Sequence, residues 1–335
     1  MTDTFARHPK RRPSGSLLQK LHPNLTISEA INLIDKLQEN VTQVVVIDPQ
    51  ILKLVLATIL GRGHLLLEDV PGIGKTLVAK TLARSISANF KRIQCTPDLL
   101  PSDITGTSVY NQPEQRFVFV PGPLFAQFVL VDEINRATPR TQSSLLESMA
   151  ERQVTIDGRE HVLEEPFFLI ATQNPVETSG TFPLPEAQLD RFLISLSLGY
   201  PAFEDEVLIL EREEHSDPLT HLEAVLSTGD ILALQDLVQR VGVVRPLKEY
   251  IVRLLTATRN HPDVLLGVSP RGGVALQRAA QAMALLSHRD FVTPDDIKAV
   301  AAGVLTHRII THERSSEITA GIIDSILKSV PVPVG

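Results

Sequence analysis

Leu65-Leu-Leu-Glu-Asp-Val-Pro-Gly-Ile-Gly-Lys-Thr-Leu-Val-Ala-Lys-Thr-Leu82 is the stretch that decides the fold. Leu65 to Leu67 is an apolar run that reads as a strand. Leu77 to Leu82 has a helical pattern. The loop between them, Glu68 to Thr76, carries Gly72 and Gly74. A strand that passes through a glycine-rich turn into a helix is the setting of a phosphate-binding loop. The glycines let backbone N–H groups converge on an anion without side-chain obstruction. The helix start adds partial positive charge. On this reading Asp69, Val70, Pro71, Gly72, Ile73, Gly74, Lys75, Thr76 and Leu77 surround a nucleotide. Lys75 neutralises its β- and γ-phosphates, and the Thr76 hydroxyl ligates Mg²⁺. The strict G-x-x-x-x-G-K-[ST] pattern has glycine where Asp69 stands. Aspartate tolerates unusual backbone angles better than most residues, though less well than glycine.

Downstream, Gln127-Phe-Val-Leu-Val-Asp-Glu133 is an apolar strand that ends in two carboxylates. Neighbouring strand residues face opposite ways, so both can address one ligand only where the chain turns away at the strand's end. Ligands of open parallel sheets bind at the carboxyl ends of the strands. Asp132 is therefore expected to hold Mg²⁺ or its water, and Glu133 to orient and polarise an attacking water.

Apolar runs at His64–Leu67, Arg92–Cys95, Phe128–Val131, Phe167–Ala171 and Phe192–Leu196 alternate with helical patterns. That alternation predicts a parallel sheet whose strands are buried on both faces. Before it, Thr26-Ile-Ser-Glu29 reads as a capping box, and Gln50 to Leu60 as a second helix. After Tyr200-Pro201 only helical patterns follow: Glu204–Glu214, Asp230–Val241, Pro246–Asn260, Arg271–His288, Pro294–Val304 and Ser316–Val330. Ser269-Pro270 and Thr293-Pro294 place a capping residue before a first-turn proline. Two insertions read as hairpins. One runs from Thr105 to Val120 around Asn111–Gln115; the other runs from Arg152 to Leu163 around Asp157-Gly158. The expected organisation is a basic tail over residues 1–25, an α/β nucleotide-binding domain over 26–200 and a helical lid over 201–335.

Composition narrows the function. The chain has 335 residues, with 32 Lys and Arg against 39 Asp and Glu, a formal charge of −7. That balance argues against a surface coated for nucleic acid. Trp is absent and aromatics are 4% of the chain, which disfavours a base-stacking platform. Hydrophobic residues at 43% suffice for a sizeable core. Cys95 is the only cysteine, so an intramolecular disulfide framework and a thiolate zinc cluster are excluded, and a reducing cytoplasmic compartment fits. It is expected to pack as a small hydrophobe. The scattered histidines, His307 and His312 included, suggest no metal site. The run Val44 to Leu60 is broken by Asp48, Pro49 and Lys53 and is no membrane span. Arg7, Lys10, Arg11 and Arg12 are followed by no apolar stretch, so no secretory signal is expected, and they read as a solvated tail rather than a polyanion-binding arm.

The chain resembles the MoxR-type ATPases of the AAA+ superfamily, in the helix-2-insert clade with the ATPase subunits of magnesium chelatases. The resemblance covers roughly Ile27 to Lys328. It is carried, in order, by Glu68–Thr76, Thr96-Pro-Asp-Leu-Leu-Pro-Ser-Asp103, Gly122-Pro-Leu-Phe125, Val131-Asp-Glu-Ile-Asn-Arg136, Thr172-Gln-Asn-Pro175, Leu184-Pro-Glu-Ala-Gln-Leu-Asp-Arg-Phe192 and Ser269-Pro-Arg271. The resemblance implies a P-loop core with a five-stranded parallel sheet, a small all-α lid, ATP and Mg²⁺ at their junction, and a hexameric homo-oligomeric ring. It implies Asn174 as sensor 1, addressing the γ-phosphate or the attacking water. It implies Arg191 as the arginine finger, reaching ATP in the neighbouring subunit, with Arg136 and Arg140 as rival interface arginines. It implies Arg271 as sensor 2. A cation in a helix's first turn is disfavoured by the dipole by roughly 0.3–1 kcal/mol, which an anion sharing the site would offset. The resemblance sets the two hairpins near the ring's pore or upper face. It implies a chaperone-like factor that remodels protein complexes, with partners bearing a von Willebrand A domain. The rival readings are a magnesium-chelatase-like ATPase subunit, a DNA-translocating motor and a nucleotide-binding scaffold that does not hydrolyse.

Overall fold

The structure is a computed structural model and describes residues 25–175, 180–213, 218–313 and 315–333. The basic run from Arg7 to Arg12 lies outside the described residues. In chain order the elements are α1 (Ile27–Thr42), α2 (Pro49–Leu60), β1 (Leu65–Glu68), α3 (Lys75–Ser85), β2 (Phe90–Gln94), α4 (Pro101–Thr105), β3 (Gly106–Asn111), β4 (Arg116–Pro121), β5 (Phe128–Asp132), α5 (Pro139–Glu151), β6 (Gln153–Ile156), β7 (Arg159–Val162), β8 (Phe168–Gln173), α6 (Glu186–Leu189) and β9 (Ile194–Leu196). Then follow α7 (Phe203–Glu213), α8 (Pro218–His221), α9 (Thr228–Val238), α10 (Arg245–Arg259), β10 (Val264–Leu266), α11 (Pro270–Leu286), α12 (Pro294–Leu305), β11 (Ile310–Thr311) and α13 (Ser316–Ser329).

The five expected strands form one parallel sheet in the order β2-β5-β8-β1-β9. Strand alternation divides the core by sheet face. Leu65, Leu67, Phe128, Leu130, Phe168, Ile170 and Ile194 point to one side, where α1, α2 and α3 lie. Leu66, Val129, Val131, Leu169 and Ala171 point to the other, against Leu145, Leu146 and Met149 of α5. The first cluster continues without a break through α2 into α11 and α12. The helical segment thus shares its core with one face of the sheet.

Three expectations need correction. β1, β5 and β8 are buried on both faces, but β2 is a sheet edge. Only Ile93 within it is buried, and Lys91, Arg92 and Gln94 are exposed. The expected run Arg92–Cys95 is also displaced; the strand is Phe90–Gln94, and Cys95 sits beyond it, fully buried. Finally, the helical segment includes a two-stranded antiparallel ladder, β10 with β11. Strands of three and two residues are too short to display an alternation.

The helix signals work as read. Thr26 Oγ1 accepts from the Glu29 N–H at 3.3 Å, and Glu29 returns a bond from the Thr26 N–H at 2.9 Å. Ser269 Oγ accepts from the Gly272 N–H at 3.3 Å at the start of α11. Both hairpins form, β3 with β4 and β6 with β7. They meet through Phe119, whose ring lies 4.1 Å from that of His161. At the root of the first, Gly106 has φ +91°, and a Cβ there would sit 2.3 Å from the Val120 carbonyl oxygen. Only glycine closes that turn.

Candidate nucleotide-binding site

The loop after β1 has Gly72 at φ +92° and Gly74 at φ +86°. A Cβ on either would meet no protein atom within 4 Å, so the requirement for glycine comes from the backbone angle, and the space beside the loop is open. Gly74 caps α3 with no side-chain hydrogen bond, which leaves the first N–H groups of that helix available to an anion. Lys75 Nζ folds back onto the loop and donates to the carbonyls of Asp69 at 2.8 Å and Val70 at 3.2 Å. Partial burial pulls its pKa below the ordinary lysine value, while the carboxylates of Asp69, Asp132 and Glu133 push it upward.

Across from the loop, β5 ends at Asp132. Its neighbour Glu133 takes the left-handed conformation, φ +55° and ψ +52°. For a side chain with a Cβ this costs on the order of 1 kcal/mol, and such residues cluster at functional sites. The turn lets two adjacent carboxylates face one space. Thr172 of β8 braces the turn: its Oγ1 accepts from the Glu133 backbone N–H at 2.9 Å and donates to Asp132 Oδ1 at 3.2 Å. Asp132 Oδ2 pairs with Arg92 Nε at 2.5 Å. Glu133 Oε2 lies 3.1 Å from Arg136 Nε and accepts from Gln94 Nε2 at 3.2 Å.

These groups line a single cavity of about 300 Å³. Pro71, Gly72, Gly74, Lys75 and Thr76 come from the loop and helix start; Asp132, Glu133 and Asn174 come from the ends of β5 and β8. Arg92, Gln94 and Thr172 complete the lining and were not singled out from the sequence. Thr172 entered there only as the first residue of Thr172-Gln-Asn-Pro175, and the trace of Arg92 and Gln94 is the polar pair flanking Ile93 in the run Arg92–Cys95, taken as buried. The donor set fits Mg²⁺: a carboxylate and a hydroxyl are hard oxygen ligands, with room for water.

Not every expected residue faces the cavity. Val70, Ile73 and Leu77 do not line it, and Leu77 packs against the core. Asp69 is buried and turns the other way, accepting from Ser197 Oγ at 2.5 Å and the Leu198 N–H at 2.8 Å. Arg191 and Arg271 also lie outside the lining. Arg191 Nη1 donates to the Leu146 carbonyl at 2.5 Å. Arg271, in the first turn of α11, is largely exposed, its Nε 3.9 Å from Asp190 Oδ2. The other Asp190 oxygen pairs at 2.7 Å with Arg308, a buried arginine that also donates to the carbonyls of Phe192 and Leu193. Arg140 lies in the first turn of α5, away from this lining.

A P-loop after β1, an acidic pair closing β5 with β8 between those two strands of an all-parallel sheet, and a helical lid define an AAA+ nucleotide-binding fold. The family described as "ATPase family associated with various cellular activities" matches residues 64–194, and its lid domain matches residues 256–326. The chain is 52% identical over 305 residues to the uncharacterised protein YeaC of Bacillus subtilis, covering 90% of this chain and 95% of that one. It is 40% identical over 322 residues to the chaperone MoxR1 of Mycobacterium tuberculosis, covering 92% and 84%. A crystal structure of a Cytophaga hutchinsonii protein presumed to be an ATPase superposes with TM-score 0.85 at 40% identity, covering 92% of this chain and 97% of the other. The chain belongs to the MoxR family of AAA ATPases.

Proposed function

We propose that this protein binds ATP with Mg²⁺ in the cavity between the loop after β1 and the ends of β5 and β8, and hydrolyses it to drive the remodelling of protein complexes. The observation that carries the reading is the convergence of Lys75, Thr76, Asp132, Glu133 and Asn174 on one cavity. Residues 26–200 would form the nucleotide-binding domain, and residues 201–335 the lid.

Each residue has a physical task. Lys75 would leave the Asp69 and Val70 carbonyls and neutralise the β- and γ-phosphates. Backbone N–H groups at Gly74 and the start of α3 would hold phosphate oxygens. Thr76 and Asp132 would hold Mg²⁺, which when bound would supply positive charge to offset that of the phosphates. Glu133 would exchange its contacts with Gln94 and Arg136 for an attacking water and accept its proton as oxygen bonds to the γ-phosphorus and ADP departs. Asn174 would orient that water or the γ-phosphate. Arg271 would address the same phosphate from the lid, and Arg191 would act across a subunit boundary, where a permanently charged planar guanidinium forks onto phosphate oxygens.

A homo-oligomeric, hexameric ring in the cytoplasm is the assembly we infer, with protein clients that include a von Willebrand A domain partner. Tyr110 and Phe117 on the first hairpin are half or more exposed, and Val162 on the second is 74% exposed. Mixed polar and apolar hairpins suit weak protein contacts better than a nucleic-acid track, which needs a row of cations. Among the described residues no helix is long and apolar enough to cross a membrane. The test is ATP binding and turnover of the purified protein. Lys75→Ala should abolish tight binding; Glu133→Gln should bind ATP yet hardly hydrolyse it. Normal turnover by Glu133→Gln would remove Glu133 from the role. DNA added at low salt should leave turnover unchanged, and a several-fold, salt-sensitive stimulation would favour a DNA motor instead.

A further inference from the structure

Asp132 and Arg92 are an unequal pair. The Asp132 side chain is 9% exposed and the Arg92 side chain 51% exposed, with Nε 2.5 Å from Asp132 Oδ2. A buried carboxylate without a counter-charge is costly. A half-exposed guanidinium is solvated without its partner, and an exposed ion pair contributes little. Asp132 therefore needs Arg92 far more than Arg92 needs Asp132. The register places the cation where it can leave. β2 runs parallel to β5 with Gln94 beside Asp132 and Arg92 beside Leu130. Arg92 thus reaches along the sheet edge toward the strand ends, and Nη2 donates to Gln94 Oε1 at 3.2 Å. The second Asp132 oxygen is engaged by the Thr172 hydroxyl. The oxygen that Arg92 covers is thus the one that a metal ion would have to reach.

We propose that Arg92 is a detachable counter-ion for Asp132. It holds and neutralises this carboxylate when no metal is present and yields it to Mg²⁺ arriving with nucleotide. This rests on the nucleotide reading above and assigns Arg92 a positioning role that acts through Asp132. Without Arg92, Asp132 would lose its ion-pair partner, and its charge, only partly offset through space by Lys75, would repel metal-free nucleotide, a repulsion that metal would relieve. Arg92 and metal are then alternative partners, and by linkage the removal of one makes nucleotide affinity depend more on the other.

The experiment measures the Kd of a fluorescent ATP analogue in excess Mg²⁺ and in EDTA. Arg92→Met should weaken binding in EDTA by on the order of tenfold more than in Mg²⁺, within the usual range of coupling between sites. Arg92→Lys, which keeps the charge, should restore most of the difference. Adding Asp132→Asn to Arg92→Met should also remove the excess loss in EDTA, because the unpaired charge is gone. Equal weakening in both buffers would mean that Arg92 touches phosphate directly and would overturn the proposal; so would no weakening in either buffer. Failure of the wild-type protein to bind the analogue in either buffer would instead sink the nucleotide reading itself.

Discussion

The ring of His64 is enclosed just before β1, with Nδ1 accepting from the Leu169 N–H at 3.1 Å and Nε2 facing the Met149 carbonyl at 3.2 Å. Accepting at Nδ1 requires the proton on Nε2, which donates to Met149. Burial, helped by the charge of Arg152 and opposed by the Met149 bond, lowers the pKa to about 4. The unfolded chain takes up a proton near pH 6.5, and the folded chain resists until about 4. Between those values the unfolded state binds more protons, so stability is full above the window and falls as pH drops through it. The loss from this residue is roughly 3 kcal/mol. Urea midpoints across pH 7 to 4, compared with His64→Gln, should show a shallower fall in the variant. Some slope will remain, because burial also holds His307 well below its ordinary value. Matching slopes would clear His64. At the same scale, burial and the nearby carboxylates push the Cys95 thiol up to about 12, so it packs rather than reacts.

The loop after β1 and the chain leaving β9 are joined by one side chain. Asp69 accepts from Ser197 Oγ, the Leu198 N–H and, at 3.3 Å, the Gly199 N–H. Asp69 is absent from the positive-φ residues, so the glycine of the strict loop pattern is not needed here. The departure seen in the sequence is thus a cross-link between the phosphate loop and the segment entering the lid. Asp69→Gly should destabilise the fold by about 2 kcal/mol or more, since bonds to a charged acceptor are among the stronger ones. Asp69→Asn retains an acceptor oxygen and should cost less. Thermal unfolding of the three proteins checks this, and an Asp69→Gly variant as stable as the parent would dismiss the cross-link.

Across the whole molecule, Arg191 stays out of its own chain's cavity, bonded to the Leu146 carbonyl. That position fits the proposed role, since a finger acting on a neighbour's nucleotide would have no reason to line its own cavity. Arg191→Ala should therefore bind ATP but lose hydrolysis. Mixed one to one with Lys75→Ala, it should recover activity at up to about a quarter of interfaces, those that pair an intact pocket with an intact finger in a head-to-tail ring. No recovery, under conditions where subunits demonstrably exchange, would count against action in trans. Asp190 and Arg308 connect this region to the helical segment, so the backbone beside Arg191 is held by a side chain from the helical turn Thr306–Arg308 that follows α12.

What could be read from the residues alone was local. The glycine loop, the carboxylates closing β5, the two hairpin turns and the helix caps each depend on the sterics of a few consecutive residues. The five strands could be counted for the same reason, because each is a short apolar run between turn signals. The tertiary structure decided which distant residues meet. Thr172 stands between Asp132 and Glu133 only because β8 pairs with β5. Arg92 and Gln94 enter the cavity only because β2 is the edge strand on the other side of β5, in a register that sets Gln94 beside Asp132. Asp69 finds Ser197, and Arg308 finds Asp190, across segments far apart in the chain. Strand order and register fix the meetings at Asp132 through burial of whole faces, a property of the assembled sheet rather than of any local stretch.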